Sequence, residues 1–186
     1  MALGLAGTAD FIQSLTDATS VNARRCNQFF TQAVESVLRK HDWHCAAKRV
    51  QLSQNETTPV FEYEYAYSIP ADCVRLINIY GDDVGYSPYD RWVVNKRNVE
   101  TDLGTAYLKY VAFPEDYRDL DVLLAKSIAY ELALMLAPTL MKDKEVYGIL
   151  FQASQTVLRE AKAMDTLENK QIYTENNRWE DARMSI

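Results

Sequence analysis

The sequence predicts an α+β protein in which a bundle of three main helices carries an inserted small antiparallel β-sheet and an extended C-terminal tail. Three observations predict it. Residues 61–69 alternate between aromatic and small or acidic side chains, which is typical of a half-buried strand. Long segments on either side repeat apolar residues at three- and four-residue steps, as amphipathic helices do. Residues 168–186 are polar with isolated apolar side chains and no clear period.

The central stretch predicts a strand with one face on a core. The residues at every second position are Phe61, Tyr63, Tyr65, Tyr67 and Ile69. Pro70 cannot donate a ladder hydrogen bond, so we expect the strand to end there. Further strands are expected at 48–52, 74–80, 91–94 and 106–113, with a loop at 95–104. Together they form the predicted antiparallel sheet.

Three helices are predicted around that insertion, at about 20–41, 118–137 and 140–167. Pro138 should force the break between the last two, which then form an antiparallel hairpin. The stripe of the last helix comprises Val146, Ile149, Leu150, Ala153, Val157, Ala161 and Met164. The residues expected to pack together between the three helices are Phe30, Val34, Leu124, Ile128, Leu132 and Val157.

The chain of 186 residues suits one domain with an embellishment. We assign residues 1–170 to that domain, with a helical part at about 1–47 and 117–170 and the β insertion at about 48–113. Residues 171–186 are interpreted as a C-terminal docking tail, because so polar a segment cannot bury much of itself.

Composition and charge narrow the function classes. The chain is 48% hydrophobic and 25% charged, which is typical of globular proteins. Its net charge of -6 disfavours nucleic-acid binding by phosphate neutralisation. Three cysteines without a CxxC motif predict no disulfide framework, and the short N-terminal apolar run lacks the basic flank of a signal peptide. Asp121, Lys126 and Glu131 make the helix that contains them an improbable membrane span.

The sequence carries no signature of a catalytic site. The sequence has no GxSxG, P-loop, GxGxxG or HExxH motif, so no catalytic or cofactor-binding residue is assigned and no cofactor is expected. His41, His44 and Cys45 fall short of the four ligands of a closed zinc site, so no metal is expected. We expect His41 to lie near a helix C-terminus with Trp43 packed beneath it. The acid pairs Asp82/Asp83, Asp116/Asp119 and Asp119/Asp121 are interpreted as solvated surface.

Basic and aromatic residues allow two interpretations each. The basic set is Arg24, Arg25, Arg39, Lys40, Lys48 and Arg49, which either contacts nucleic acid or meets acidic neighbours and solvent. The helical spacing favours the second interpretation. The 12 tyrosines suit half-buried strands and protein interfaces, or stacking on single-stranded nucleic acid. Glu62 and Glu64 interleave the tyrosine ladder and disfavour stacking.

The order of several short motifs resembles a known family over about residues 20–165. The motifs are Ala23-Arg24-Arg25-Cys26, His41-Asp42-Trp43, Ala46-Ala47-Lys48-Arg49-Val50-Gln51-Leu52, and Tyr67-Ser68-Ile69-Pro70-Ala71-Asp72-Cys73-Val74-Arg75-Leu76, followed by an alanine-rich helix pair. This pattern is similar to the head-to-tail adaptor proteins of short-tailed bacteriophages, also called tail tubular protein A or connector proteins.

The resemblance implies a non-enzymatic structural protein. Such proteins form a twelve-subunit ring between the portal protein and the tail nozzle protein, and DNA passes through the lumen without sequence-specific binding. The implied location is the virion tail at the head-tail junction, after synthesis in the host cytoplasm, with no membrane partner. The alternative is a tail-associated hydrolase of cell-wall or capsule polysaccharide.

The resemblance and the composition together predict how the subunit meets its partners. The outward residues Arg24, Gln28, Gln32 and Glu35 predict polar helix faces, so we expect a monomer or weak oligomer until a portal is present. The predicted partner-binding residues of the tail are Tyr173, Arg178, Trp179, Arg183 and Met184. Trp179 would enter an apolar pocket on the portal or a neighbouring subunit, and the two arginines would pair with acidic groups at its rim.

Overall fold

The computed structural model describes residues 1–7, 12, 20–82, 91–140 and 144–168. These residues form an α+β fold, as predicted. The helices are α1 (Ala2–Leu5), α2 (Val21–Leu38), α3 (Val122–Leu140) and α4 (Lys144–Glu168), with short 3-10 turns at His44–Ala46 and Tyr117–Asp119. The strands are β1 (Ala47–Gln51), β2 (Tyr65–Ser68), β3 (Cys73–Tyr80), β4 (Trp92–Asn95), β5 (Asn98–Thr101) and β6 (Tyr107–Ala112).

The strands form two antiparallel sheets instead of the single predicted one. The first sheet has the order β1-β6-β3 and the second has the order β2-β5-β4. The first sheet lies in the middle of the fold. Its Val74 and Val111 pack into the helices, while its Leu108 and Tyr110 pack against Tyr67 of the second sheet. The order of layers is therefore helices, first sheet, second sheet.

Helix α2 confirms the predicted amphipathic helix. The Ser20 side chain accepts a hydrogen bond from the Ala23 N–H, which satisfies one of the free donors at the helix start. Its inner face buries Cys26, Ala33, Val34, Val37 and Leu38. Beyond its C-terminus Trp43 is 1% exposed, and its Nε1 donates to the Val37 carbonyl at 3.0 Å.

Helix α3 is the central helix of the layer. Asp121 caps it by accepting from the Leu123 and Leu124 N–H groups at 2.8 and 3.2 Å. By length and composition α3 could cross a membrane, although the core helix of a soluble protein passes the same test. It packs against α1, α2 and α4, and its Glu131 accepts hydrogen bonds from Ser36 and Lys40 of the α2 region at 2.7 and 2.9 Å.

The predicted helical core is confirmed in part. Val34, Leu124 and Ile128 share one buried cluster. Leu132 belongs to a neighbouring cluster, and Phe30 packs against both. Val157 is also buried, but outside both clusters. The difference arises because residues from Leu124 to Leu132 span about two helical turns, so one stripe serves two successive clusters.

Strand β3 serves both sides of the first sheet. Register shifts against β6 fall between Cys73 and Arg75 and between Leu76 and Asn78. Each shift adds one residue to β3, so its inward positions recur every third residue. Val74 and Ile77 contact the helical core, whereas Cys73, Leu76 and Ile79 contact the core between the sheets. The bulges thus allow β3 to contribute side chains to the cores on both sides of the first sheet.

The predicted strand over residues 61–69 is wrong in its first half. Strand β2 contains only Tyr65–Ser68, and Phe61 is 73% exposed. Glu62 has a φ of 73°, a left-handed conformation that a continuous strand does not allow. Tyr67 is 2% exposed as predicted, but Ala66 beside it is also buried. The aromatic residues alternate along the sequence, but the burial of their side chains in the structure does not follow that alternation.

The predicted loop at 95–104 contains strand β5. Asn95 pairs with Asn98 across a tight turn in which Lys96 has a φ of 57°. The strand Asn98–Thr101 is polar except for Val99, which is 0% exposed. Because neither the turn nor the strand has a typical composition, the sequence pattern gave no strand signal.

Two helix predictions are also corrected. Pro138 lies inside α3, two residues before its end, instead of breaking it. So near the C-terminus proline removes one hydrogen bond and leaves the preceding turns intact. On α4 the buried residues are Leu150, Ser154, Val157 and Ala161. Val146, Ile149 and Met164 of the predicted stripe are 45%, 64% and 47% exposed.

Candidate interaction surfaces

A groove lies on the outer face of the second sheet. In β2, β4 and β5 one row of side chains faces the first sheet, including Tyr67 and Val99, and the alternate row faces outward. The segment 54–62 passes over that outward row and encloses a volume of about 860 Å³ with it. We call this space the outer groove. From the strands it is lined by Ala66, Val93, Val94, Asn95, Asn98 and Glu100.

Hydrogen bonds hold the covering segment to the sheet. Gln54 forms a bridge with Tyr67, and the Asn55 N–H donates to the Ala66 carbonyl at 2.8 Å. The Ser68 hydroxyl donates to the Asn55 side chain at 2.6 Å. These bonds fix the start of the segment against β2. The strands therefore form a fixed floor of the groove, and residues 54–55, which are bonded to β2, form a fixed end.

The outer groove combines apolar surface with negative charge. Val60 is 96% exposed and Phe61 is 73% exposed, and both line it. Glu56, Glu62 and Glu100 are its charged lining residues, and no lysine or arginine of the described ranges lines it. Exposed apolar side chains beside carboxylates that form no ion pair with any described residue favour a ligand that is apolar and cationic. The Glu100 carboxylate also accepts from the Asn95 side chain at 2.9 Å, which orients it.

Exposed apolar side chains flank the buried stripe in the N-terminal half of α4, Val146 and Ile149 on one side and Tyr147 and Phe151 on the other. Val146, Tyr147, Ile149 and Phe151 are 45%, 41%, 64% and 48% exposed. The outward face of α2 is polar as predicted, since Arg24, Gln28, Gln32 and Glu35 are exposed. The expectation that all helix faces are polar is therefore wrong for α4. We call the neighbouring pair Val146 and Ile149 the α4 surface.

One carboxylate joins α4 to the turn after α2. Asp165 Oδ2 lies 3.0 Å from His41 Nε2 and 3.2 Å from His44 Nδ1, and Oδ1 accepts from the His44 backbone N–H at 2.9 Å. The predicted contact between His41 and Trp43 is confirmed, with ring centroids 4.9 Å apart. The cluster explains both histidines as structural groups that fix the end of α4.

The metal interpretation gains no support from this geometry. Within the described ranges, no group of three or more His, Cys, Asp and Glu side chains is arranged to hold a metal ion. Cys45 is exposed at the surface, and partial burial raises the pKa of its thiol. A thiol with a raised pKa is a weak metal ligand.

A second ionic cluster fastens β1 to the start of β3 and to the segment after β6. Lys48 Nζ donates to Asp72 at 2.9 Å and to Glu115 at 2.8 Å, and the Tyr110 hydroxyl donates to Asp72 at 3.1 Å. Burial opposes the charged form of Asp72, but the bonds from Lys48 and Tyr110 outweigh it and lower its pKa. Burial and the bond to Asp72 raise the pKa of Tyr110 to about 12.

The basic residues of the sequence behave as the structural interpretation predicts at two positions. Lys40 pairs with Glu131 at 2.9 Å, and Lys48 pairs with Asp72 and Glu115. Arg24 and Arg49 are exposed. Two of the six basic residues are thus engaged by carboxylates of the same chain.

The acid pairs perform local structural roles where they are described. Asp116 accepts from the backbone N–H of Arg118 at 2.9 Å and pairs with its guanidinium at 2.6 Å. Asp121 caps α3. Asp82 accepts from the Tyr107 hydroxyl at 3.3 Å, and Asp83 lies outside the described residues.

Residues of the predicted docking tail lie outside the described residues. They are Tyr173, Arg178, Trp179, Arg183 and Met184. The sequence pattern did not predict the outer groove, because residues 54–59 have the composition of a polar loop. The available signal was Val60 and Phe61, two large apolar residues between that loop and a pair of glutamates.

Comparison with known proteins adds no relative. No protein-family model matches the chain, and no curated protein matches it significantly.

Proposed function

We propose that the protein is a structural head-to-tail adaptor of a short-tailed bacteriophage, which forms a ring between the portal and the tail nozzle. The observation that carries this proposal is the presence of two different apolar surfaces on one chain, the outer groove and the α4 surface. A ring needs two unlike patches on each subunit, whereas a two-fold dimer needs only one. The order of the motifs in residues 20–165, which resembles that of the adaptor family, supports the choice of this family.

The charge of the chain supports passage of DNA. The net charge of -6 on each subunit suits a lumen through which DNA slides. The basic residues Lys40 and Lys48 are engaged by carboxylates of the same chain. DNA would therefore slide through the ring without sequence-specific contact. The ring would consist of twelve subunits at the head-tail junction of the virion.

Negative-stain microscopy of the full-length protein mixed with portal protein tests the proposal. We expect rings with twelve-fold symmetry on the portal, and a monomer or weak oligomer by sedimentation when the portal is absent. A tight dimer that does not bind portal would overturn the proposal. A reducing-sugar assay on cell-wall and capsule polysaccharide separates the adaptor from a hydrolase, since an adaptor releases no product.

The docking role of the tail is tested by deleting residues 171–186. If the tail binds the portal or a neighbouring subunit, the shortened protein keeps its melting temperature and loses portal binding. A large fall in melting temperature would assign the tail to the fold of its own subunit. The exposed-residue variant Val122→Ser, on the helical side of the molecule, serves as a control that changes neither quantity.

A further inference from the structure

We propose that the outer groove binds an extended segment of a partner protein in which an arginine stands next to a large apolar side chain. The inference rests on the proposed function, since it names the partner chemistry of one of the two surfaces on which that function depends. Three features of the groove select this chemistry. They are a carboxylate on its floor, two further glutamates on its covering segment, and exposed apolar side chains beside them.

The carboxylate on the floor is that of Glu100, on the central strand of the second sheet. Its direct cross-strand neighbours are Ala66 on β2 and Val93 on β4. A charged residue on a sheet face is stabilised by an opposite charge at the facing position, and neither neighbour supplies one. Among the described residues the side chain of Asn95 binds this carboxylate, at 2.9 Å, but an amide does not neutralise its charge. A guanidinium lying on the floor would supply the missing positive charge.

The covering segment adds negative charge to the same space. Glu56 and Glu62 line the groove, and neither forms an ion pair within the part of the chain that the structure describes. Three carboxylates around one concave space make its potential negative, so the groove attracts a cationic segment and repels an acidic one. A second copy of the chain carries a net charge of -6, so its approach is opposed over long range.

The apolar lining selects arginine with an apolar neighbour. Val60 is 96% exposed, Phe61 is 73% exposed and Val93 is 41% exposed. A guanidinium is weakly hydrated and stacks on aromatic rings, so one arginine can bind a carboxylate and cover Phe61 at the same time. A large apolar side chain beside that arginine would remove Val60 and more of Phe61 from water.

The dimensions of the groove suit a segment of several residues. Its volume of about 860 Å³ lies within the range of sites that enclose a sizeable ligand. Its floor is three strands wide, which is about 10 Å between the outer strands. The Asn55 N–H is bonded to the Ala66 carbonyl, so the cover is attached before any ligand arrives. A preformed groove of this width lowers the ordering cost of binding an extended peptide.

Peptide binding to the full-length protein tests the proposed chemistry. The probe is the fluorescein-labelled peptide Gly-Ser-Arg-Trp-Arg-Trp-Ser-Gly, followed by fluorescence anisotropy. We expect saturable binding. Replacing both arginines by citrulline, which keeps their shape and removes their charge, should weaken binding by about tenfold or more, and so should replacing both tryptophans by serine. Absence of binding, or equal binding of the citrulline peptide, would overturn the inference.

Variants of the protein locate the binding site. Glu100→Gln and Phe61→Ser should each weaken binding of the probe by about tenfold or more. The matched controls are Glu160→Gln, which neutralises an exposed acid of α4, and Val122→Ser, which replaces another exposed apolar residue. Both controls should leave binding unchanged. Melting temperatures of the variants establish that each is folded, and equal losses in a variant and its control would overturn the inference.

A double-mutant cycle tests the contact between the arginine and Glu100 directly. If a guanidinium binds this carboxylate, the change from arginine to citrulline costs much less affinity in Glu100→Gln than in the natural protein. The single replacement of each arginine of the probe identifies which one makes the contact. Strictly additive losses at both positions would refute a contact with Glu100 and overturn the inference.

Two rival occupants give different results. Self-association in sedimentation experiments that Glu100→Gln abolishes would assign the groove to a second copy of the chain. Displacement of the probe by free arginine amide at the concentration at which the unlabelled peptide displaces it would assign the groove to a small cation. Either result would overturn the inference, which expects arginine amide to be weaker by about a hundredfold or more.

The outcomes separate this inference from the proposed function. Rings on the portal that persist in Glu100→Gln, together with no binding of the probe to the natural protein, would refute the groove contact and leave the adaptor proposal intact. Binding of the probe with the expected dependence on Glu100, together with no rings on the portal, would refute the adaptor proposal and keep the groove contact.

Discussion

The two faces of the first sheet are covered in different ways. On the helical side Val34, Leu124 and Val111 are 0% exposed, and Trp43 closes the cluster at 1% exposure. On the other side the second sheet buries Tyr67 and Val99 but leaves Phe61 73% exposed above its outward face. The first arrangement has removed its apolar groups from water. The second retains exposed apolar surface.

The largest expected effect is on the helical side. Ile128 is 5% exposed within the cluster that contains Leu124 and Trp43. Ile128→Ala should lower the free energy of unfolding by about 2–5 kcal/mol, because it removes buried methyl groups and leaves a cavity. Urea unfolding followed by circular dichroism measures it. A loss below about 1 kcal/mol would mean that the site collapses or is open to solvent.

The next effect concerns the attachment of α4 to the turn before β1. Asp165 has a side chain that is 10% exposed, and it accepts from the His44 backbone while contacting both histidines. Asp165→Ala should cost about 1–3 kcal/mol, since it leaves a partly buried backbone donor without its partner. Urea unfolding measures the loss, and Glu160→Ala on the exposed face of α4 is the control. Equal stability of the two variants would contradict a structural role for the cluster.

A smaller effect, dependent on pH, is expected at the ionic cluster of β1. Asp72→Asn should cost about 1 kcal/mol near pH 7, because it removes the charge that Lys48 and Tyr110 bind. The folded-state pKa of Asp72 is lowered from 3.8, so its contribution is complete above that value and is lost as the pH falls through the lowered pKa.

Urea unfolding of both proteins at pH 7 and at several values below 3.8 measures this dependence. The difference between natural protein and variant should shrink as the pH falls. Glu115→Gln is the matched control, since Glu115 also binds Lys48 but its side chain is 85% exposed, and it should change stability little. A constant difference at all pH values would contradict the assignment.

The smallest effect is expected in the outer groove. Phe61→Ser should change the free energy of unfolding by less than about 0.5 kcal/mol, because the side chain is already largely in water. Thermal or urea unfolding of the isolated protein checks it. A loss comparable to that of Ile128→Ala would show that segment 54–62 belongs to the folded core, and the contrast between the two sides would disappear.

Regular elements with a strong local signal were predictable from the sequence. The apolar spacing of α2 and the serine that caps it were sufficient to place that helix. The same holds for β6, in which Leu108, Tyr110 and Ala112 alternate toward the core between the sheets. In both cases the local pattern and the tertiary burial agree, so the pattern predicts the structure.

The remaining parts depend on contacts that no local pattern records. β5 is a strand because Val99 is buried against the first sheet and Thr101 donates to the Arg91 carbonyl at 2.9 Å. The outer groove exists because Glu62 turns the chain with a positive φ and Phe61 is left outside the strand. On α4, Val146 and Ile149 have the spacing of a buried stripe but lie on a face that its neighbours leave uncovered. Hydrophobic periodicity alone cannot distinguish an apolar face that other elements bury from one that they leave exposed.

The two bulges of β3 also limit aggregation. β3 is an edge strand of the first sheet, and a regular edge offers a row of free N–H and C=O groups to which a strand of another molecule can add. An extra residue at Val74 and another at Ile77 interrupt the even spacing of those groups and increase the local twist. Strand addition, the first step toward fibre formation, is thereby disfavoured at this edge.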